Sequence, residues 1–499
     1  MKRLDQLTFI RFGMVLFIVL YHGYGGVYEA FLQNIPFFDA LIKSATTAVG
    51  YMYVLSGFIM SLVYYRPSEK FEIITYWKSR FVRIYPLYLI AFLLTCVYYL
   101  DTILRVKPQK ILVNLLALQA WYPPYAQSFN YPAWSITVEI FFYFIFPFFT
   151  IWAYRQSLKK LIWGGLAFWA ASQVVYQVLW IGYFETQRHF VLYFPLFHLN
   201  SFILGAVGGI WYVREGKHQQ ATAGLKWALL AGSAFLSLGY LIVSMNFFPS
   251  MPRELQPMAG LLAPVMVIFI IALALDESKL SKALQHPWLV NLGEASYAIY
   301  ILHIPVIWFF EKKLFNSTVS NPEWIFSVAV VPMVTVIGLV MYLYVDTPIR
   351  NGLKKILPKI NAQLFFIDLI IFGSSIFISF YLRFGDGRDY LSYRTLVRLL
   401  LWAALFLRIA VAIVFRIYDE SVLRQSSIFQ SIRPVFISAL LGSLILTVIG
   451  YLGFHAGFSE NFPRSIFLVD FLIVITGSVA VRLLFRFRTS ILPGVSPKP

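Results

Sequence analysis

An arginine and a histidine, Arg11 and His22, stand in the first apolar stretch of the chain, Leu4 to Tyr24. A guanidinium binds anions, and an imidazole exchanges protons near neutral pH. Ten residues separate the two, so along a helix they lie about 16 Å apart at roughly 1.5 Å per residue. Their angular offset is about 20° from three full turns, which puts both on one face. An ionisable group in a membrane span costs roughly 2.5–3.5 kcal/mol or more unless it faces protein or water. The stripe is therefore expected to look inward, toward a site.

Other unusual residues occur in apolar surroundings. Pro132-Ala133-Trp134-Ser135 opens a span that carries Glu139 about two turns in, and a carboxylate at that depth is a candidate site by default. A later span holds Glu294, Ser296, Tyr297 and His303, and an early one holds Ser56-Gly57, a small pair suited to close helix packing. Arg80 and Arg83 are three apart, hence neighbours on one helix face, just before Pro86. Each has a plainer reading. His22 alone reads better as a buried ring bonded to a carbonyl, and Glu139 reads equally as a polar tie between helices. Ser296 and Tyr297 read as packing, and Arg80 and Arg83 as topology anchors. His189, His198, His218, His286 and His455 lie at loops or span ends and are assigned no role.

The elements that position these groups must be membrane helices. The 499 residues are 59% hydrophobic, 18% aromatic and 13% charged, against about 25% charged in soluble domains. Ten spans are expected, at 7–24, 45–65, 84–104, 133–153, 160–182, 190–213, 225–247, 257–275, 288–310 and 324–345. Four more follow, at 364–384, 395–417, 433–454 and 465–485. Residues 111–121 are too short to span and read as re-entrant or interfacial. A basic stretch with a proline at each end, 346–363, separates the two groups, giving expected domains 1–355 and 356–499. Beyond it, spans carry arginines read as lying at their ends, such as Arg383, Arg408, Arg416 and Arg482.

The net charge of +18 is scattered between spans, so it reads as membrane orientation, and no nucleic-acid partner is expected. About 26 Lys and Arg fall on the side of the N-terminus and about 12 on the other, which predicts that both termini are cytoplasmic. The loop with Arg105, Lys107 and Lys110 runs against this bias. No cleavable signal is expected, since the first span is long and carries Arg11. A single cysteine, Cys96, excludes an internal disulfide and a cysteine-based metal cluster.

Residues 3 to 355 resemble acyltransferase family three, integral-membrane enzymes that O-acylate bacterial surface polysaccharides and related molecules. Arg11-x10-His22 after Leu4-Asp5 resembles the family's basic-x10-His signature, and Tyr53-Val54-Leu55-Ser56-Gly57-Phe58 its FFVLSGF stretch. Arg80-Phe81-Val82-Arg83-Ile84-Tyr85-Pro86 is similar to RxxRIYP, and Trp134 through Tyr143 to WSLxVExxFY. Phe202-Ile203-Leu204-Gly205 is similar to FxxG, and Leu292-Gly293 through Ser296-Tyr297 to His303-Ile304-Pro305 resembles LGxxSYxxYLxHxPV. Asp346-Thr347-Pro348-Ile349-Arg350 resembles the closing ExPxR, with Asp346 in place of Glu. Thr8-Phe9-Ile10 and Gly50-Tyr51-Met52 also depart from the common pattern.

The resemblance implies an all-α integral membrane protein, a ten-helix acyltransferase bundle followed by a four-helix membrane module. It implies transfer of an acyl group, most often acetyl, from cytoplasmic acyl-CoA to a carbohydrate hydroxyl in an exopolysaccharide, O-antigen or lipid-linked glycan. His22 would be the general base, with Glu139 orienting its imidazole. An acyl-His22 intermediate is the rival mechanism. Arg80 and Arg83 would hold coenzyme A phosphates, with Arg11 lining the route inward. Ser135 or Tyr297 would polarise the thioester carbonyl, and Trp134, Ser56 and His303 join the substrate-binding candidates. No metal or permanently bound cofactor is implied. The implied location is the bacterial cytoplasmic membrane, with the lipid bilayer as a further partner.

Residues 362–488 resemble the four-helix membrane segment of CapD-like polysaccharide-biosynthesis proteins, through Phe366-Ile367-Asp368-Leu369, Tyr381-Leu382-Arg383-Phe384, Ile417-Tyr418, Pro463 to Asp470 and Arg482 to Arg486. No GxGxxG fingerprint follows, so dehydratase activity is not implied. Docking to glycan-assembly proteins is the expected role, set against that of a passive appendage. The alternatives to the enzyme are a transporter or flippase for a lipid-linked glycan, or an accessory subunit of a glycan-assembly complex.

Overall fold

The computed structural model describes residues 4–23, 34–35, 45–98, 106, 108–216, 223–246, 259–314, 323–356, 361–385, 393–419, 427–455 and 461–491. Every extended element among them is helical, as expected where the bilayer offers no water to satisfy backbone groups. In chain order the first group is α1 Asp5–Gly23, α2 Thr46–Tyr64, α3 Ile73–Tyr98, α4 Pro108–Leu115, α5 Trp134–Tyr154, α6 Leu158–Tyr193 and α7 Pro195–Arg214. There follow α8 Ala223–Asn246, α9 Ala263–Leu275, α10 Lys279–Leu284, α11 Pro287–Leu314, α12 Glu323–Met341 and α13 Thr347–Ile356. The last four are α14 Ala362–Phe384, α15 Arg394–Val414, α16 Ile428–His455 and α17 Arg464–Ile491. The chain divides into two compact units, 1–351 and 352–499.

Ten helices among the described residues are long and apolar enough to cross a bilayer, seven in the stretch up to residue 355 and three beyond it. The expected spans at 160–182, 225–247, 257–275 and 395–417 fall on α6, α8, α9 and α15, which lie outside that set. α9 has 13 residues, short of the roughly 20 a span needs. α6 runs 36 residues with a break at Gln187, where φ is −131° and ψ 40°. The third span starts at Ile73 rather than near 84. Arg80 and Arg83, expected ahead of the third span, are therefore inside its helix together with Pro86. Proline costs a helix one rung, and next to it the Tyr297 hydroxyl donates to the Ile84 carbonyl at 2.8 Å.

Two contacts in the first unit fix the bundle. α2 and α7 touch backbone to backbone: a Cβ on Gly205 would stand 1.9 Å from the Val54 carbonyl oxygen, and one on Gly57 would stand 2.1 Å from that of Phe202. This is small-residue packing of the kind that lets membrane helices approach. α1 and α11 run parallel. Gly293 lies against the Thr8 carbonyl near one end, and His22 meets His303 near the other. Between α4 and α5 the chain makes short turns, with Ala117 and Phe129 at positive φ. Buried amides hold them: Gln119 Nε2 donates to the Ala133 carbonyl, and Asn130 Nδ2 to that of Ile301, both at 2.8 Å. These bonds set the start of α5 against α11.

In the second unit the arginines are not all at helix ends. Arg408 and Arg482 are buried, paired with the equally buried Asp470 and Asp368. A charge in an apolar bundle is tolerated when another charge faces it, and here two helix pairs share that arrangement.

Candidate active site

A cavity of about 120 Å³ lies among α1, α2, α3, α5 and α11, walled by Arg11, Ser56, Arg80, Arg83, Ser135, Glu139 and Tyr297. Seven of the ten residues singled out in the sequence thus meet at one place, contributed by five helices. Trp134, His22 and His303 stand outside its wall.

The cationic side is built from α3. Arg80 donates to the Tyr64 hydroxyl at 2.8 Å, and its guanidinium lies 5.3, 5.9 and 5.6 Å from the ring centres of Tyr64, Tyr76 and Tyr143. Such an aromatic cage holds a cation without neutralising it, so Arg80 keeps its charge available. Arg83 pairs with Glu294 at 3.5 Å, with both side chains partly exposed. Arg11 has Arg83, Glu294 and Glu139 as charged neighbours. Asp346 and Arg350, from the closing motif, form an ion pair at 3.1 Å.

Glu139 is held by two hydroxyls. Tyr143, four residues on and so on the same helix face, donates at 2.5 Å, and Ser56 from α2 donates at 3.4 Å. Ser135 bonds the Pro132 carbonyl at 3.0 Å and shares a 2.7 Å hydrogen bond with the Tyr300 hydroxyl. Tyr297 donates to the Ile84 carbonyl, and Ser296 to the Leu292 carbonyl of its own helix at 3.2 Å.

His22 lies elsewhere. Its Nδ1 is 3.0 Å from Nε2 of His303, the two ring centres are 5.0 Å apart with their planes 28° from parallel, and Tyr21 and Tyr131 flank it with ring centres at 5.0 and 5.1 Å. The expected contact between Glu139 and His22 is not made. Tyr131, just before α5, is level with His22, and Glu139 comes eight residues later, about 12 Å deeper at helical rise. The carboxylate therefore belongs to the arginine cavity. The group that meets His22 is a histidine. Ser135 and Tyr300 stand between the two sets, and Tyr300 is three residues from His303 on α11.

Trp134 packs on Tyr193 and His198, with ring centres at 4.9 and 5.3 Å, a core role rather than a cavity one. His198 is buried, not at an exposed span end, and its Nε2 lies 3.0 Å from the Leu192 carbonyl. His189 faces the Pro123 carbonyl at 3.2 Å. His218 lies outside the described residues. The sequence reading missed Tyr64, Tyr76, Tyr143 and Tyr300. The signal for Tyr143 was its i+4 spacing from Glu139. Nothing local marked the cage tyrosines on α2 and α3.

The family profile described as "Acyltransferase domain" matches residues 4–343. The chain is 25% identical over 395 residues to "Acyltransferase MdmB" of Streptomyces mycarofaciens, covering 72% of this chain and 95% of that one. It is 24% identical over 339 residues to "O-acetyltransferase OatA" of Staphylococcus aureus, covering 62% of this chain and 54% of OatA. It is also 22% identical over 446 residues to "Putative O-acetyltransferase SACOL0978" of the same species, covering 83% and 70%. The chain thus spans nearly all of the first relative and about half of OatA. No solved structure matches it. With the matched profile covering most of the chain and running through every helix that walls the cavity, the protein belongs to the membrane-embedded acyltransferase family three.

Proposed function

We propose that the protein moves an acyl group, acetyl in the simplest case, from cytoplasmic acyl-CoA to a carbohydrate hydroxyl on the far side of the bacterial cytoplasmic membrane. The observation that carries this reading is the cavity itself: three arginines at one membrane-embedded site, close to a wall of hydroxyls that ends beside a histidine pair. Coenzyme A is an anion with a thin, flexible arm. The arginines suit its phosphates, and a narrow cavity of about 120 Å³ suits the arm better than the nucleotide. The O-acetyltransferase names of two relatives support a hydroxyl acceptor.

In this mechanism the acceptor oxygen attacks the thioester carbonyl carbon as His22 takes the hydroxyl proton. The tetrahedral intermediate collapses with cleavage of the C–S bond, and the departing thiolate receives that proton as free coenzyme A. Ser135 and Tyr300, paired at the cavity wall, both bond the Pro132 carbonyl, and one of these hydroxyls turned from it would donate toward the thioester carbonyl oxygen. Glu139 acts on the donor side, where it holds Tyr143 against Arg80. The excess of basic residues on the side of the N-terminus supports cytoplasmic termini. Residues 352–499 are read as a docking module for glycan-assembly proteins, on their sequence resemblance.

The test uses membranes containing the protein, supplied with acetyl-labelled acetyl-CoA. Alkali-labile label is expected in the surface glycan fraction, and membranes lacking the protein should give none. Label that stays in acetyl-CoA under both conditions would overturn the reading. Changing Arg80 and Arg83 together to alanine is expected to weaken acetyl-CoA binding by at least tenfold, since each charged phosphate contact is worth roughly 1.5–3 kcal/mol. Unchanged binding by calorimetry would return both residues to orienting the chain in the membrane.

A further inference from the structure

We propose that His303 is a positioning residue that fixes the tautomer of His22, presenting the bare Nε2 of that ring to the acceptor hydroxyl. The inference deepens the reading above and rests on His22 being the base. It follows from which atoms can donate.

Nδ1 of His303 faces the backbone carbonyl of Tyr300 on its own helix. A carbonyl oxygen only accepts, so that nitrogen carries the hydrogen. In a neutral imidazole the other nitrogen, Nε2, is then a lone pair. This lone pair lies 3.0 Å from Nδ1 of His22, so Nδ1 of His22 must be the donor there. The single hydrogen of a neutral His22 is thus directed to His303, with the Ile18 carbonyl of its own helix as a second acceptor for the ring, and its Nε2 is left as the proton acceptor. The relay runs in one direction, from His22 Nδ1–H to His303 Nε2 and from His303 Nδ1–H to the Tyr300 carbonyl.

The surroundings suit such a device. His303 is fully buried, and His22 is only partly so. The buried ring sits where water cannot compete for its nitrogens, while the ring it orients remains reachable. Hydrolytic triads assign this duty to a carboxylate, which orients the histidine and stabilises the imidazolium. In the present site the carboxylate, Glu139, faces Tyr143 and Ser56. A neutral histidine backed by a carbonyl takes the place next to the base. When His22 gains its second proton, the chain of two aligned hydrogen bonds polarises and spreads the new charge. Parallel packing of α1 against α11, with Gly293 on the Thr8 carbonyl, keeps the rings in register.

The test combines spectroscopy with variants of the full chain. Protein labelled with 15N-histidine and reconstituted in lipid gives separate signals for protonated and bare ring nitrogens. The His22 signals are assigned by their loss in His22→Asn. In the wild type, His22 is expected to be protonated at Nδ1 and bare at Nε2. The reverse pattern, or an even mixture, would overturn the proposal whatever the activity. In His303→Leu the His22 signals should become a mixture, and the ester content of the surface glycan should fall roughly tenfold or more, as a misplaced tautomer does elsewhere. Acetyl-CoA affinity should stay within about twofold of wild type, because His303 is outside the arginine cavity. His303→Gln, whose amide oxygen can accept from His22, should recover a large share of the ester. A His303→Leu protein with a wild-type His22 spectrum would refute the relay. Retained transfer in His22→Asn would instead remove the base, and the tautomer measurement would still stand on its own.

Discussion

Changing His22 to asparagine is expected to lower acyl transfer by about 10²–10⁴-fold, the usual contribution of a positioned general base. Asparagine is chosen because its amide can donate to His303 Nε2 from near the position of the native Nδ1. The buried partner thereby keeps its hydrogen bond, and no orphaned polar group is created at a cost of roughly 1–3 kcal/mol. What is lost is Nε2 alone. His22→Ala removes both, so it should be as inactive and somewhat less stable. The pair of variants therefore separates chemistry from packing. The measurement is ester content of the surface glycan by NMR, with membrane accumulation scored beside it. An asparagine variant that accumulates and still esterifies the glycan at the wild-type level would take His22 out of proton transfer. A burst of free coenzyme A without acceptor, lost in the same variant, would favour the acyl-His22 route over direct attack.

The reach of sequence reasoning differs between the two ends of this site. One-face placement of Arg11 and His22 follows from helical period, and the small residues Gly57 and Gly205 already mark a close helix contact. The grouping of Arg11 with Arg80 and Arg83 in one cavity was likewise legible, because intramembrane polar groups have nowhere else to turn, whereas Glu139 was expected beside His22 and lines the arginine cavity instead. The partner of His22 was not. Depth along a helix is set by where each helix enters the bundle, and the turns at 116–133 decide that for α5. Their stability rests on long-range bonds such as Asn130 to Ile301, which leave no local signature. The start of α3 at Ile73 lies ahead of the expected span for a related reason. The apolar run begins near residue 84, yet the helix extends back to Ile73, because Arg80 and Arg83 face the cavity and not the bilayer. Arginine usually marks a span end, yet Arg408 is buried within its helix and paired with Asp470. The countersignal was present in Asp368 and Asp470, two carboxylates in apolar helices that required cationic partners.

Those partners give the largest expected effect on stability. Changing Asp470 to leucine should destabilise the second unit by about 3–5 kcal/mol, the cost of leaving one buried charge alone. Arg408 donates to Asp470 through both terminal nitrogens, to Oδ1 at 3.1 Å and also to Oδ2, while Ser443 accepts from it at 2.9 Å. Ser375 completes the cluster by donating to Asp470 at 2.7 Å. Domains are stable by only about 5–15 kcal/mol, so the single variant should accumulate poorly or melt early in detergent. Changing Arg408 and Asp470 together to leucine removes both charges, and such swaps are often neutral or better. Recovery in the double variant is thus the decisive comparison, because a generic packing defect would grow with the second change. Gly442 is packed against the Arg408 stem, so part of the recovery depends on how leucine fills that space. A single variant as stable as wild type would mean that the carboxylate is not needed to neutralise Arg408. The pair Arg482 and Asp368, joined at 2.7 and 2.8 Å with Ser478 donating at 2.9 Å, should follow the same rule. If a charge-free second unit folds while glycan ester content falls, the two pairs serve its docking role rather than its stability.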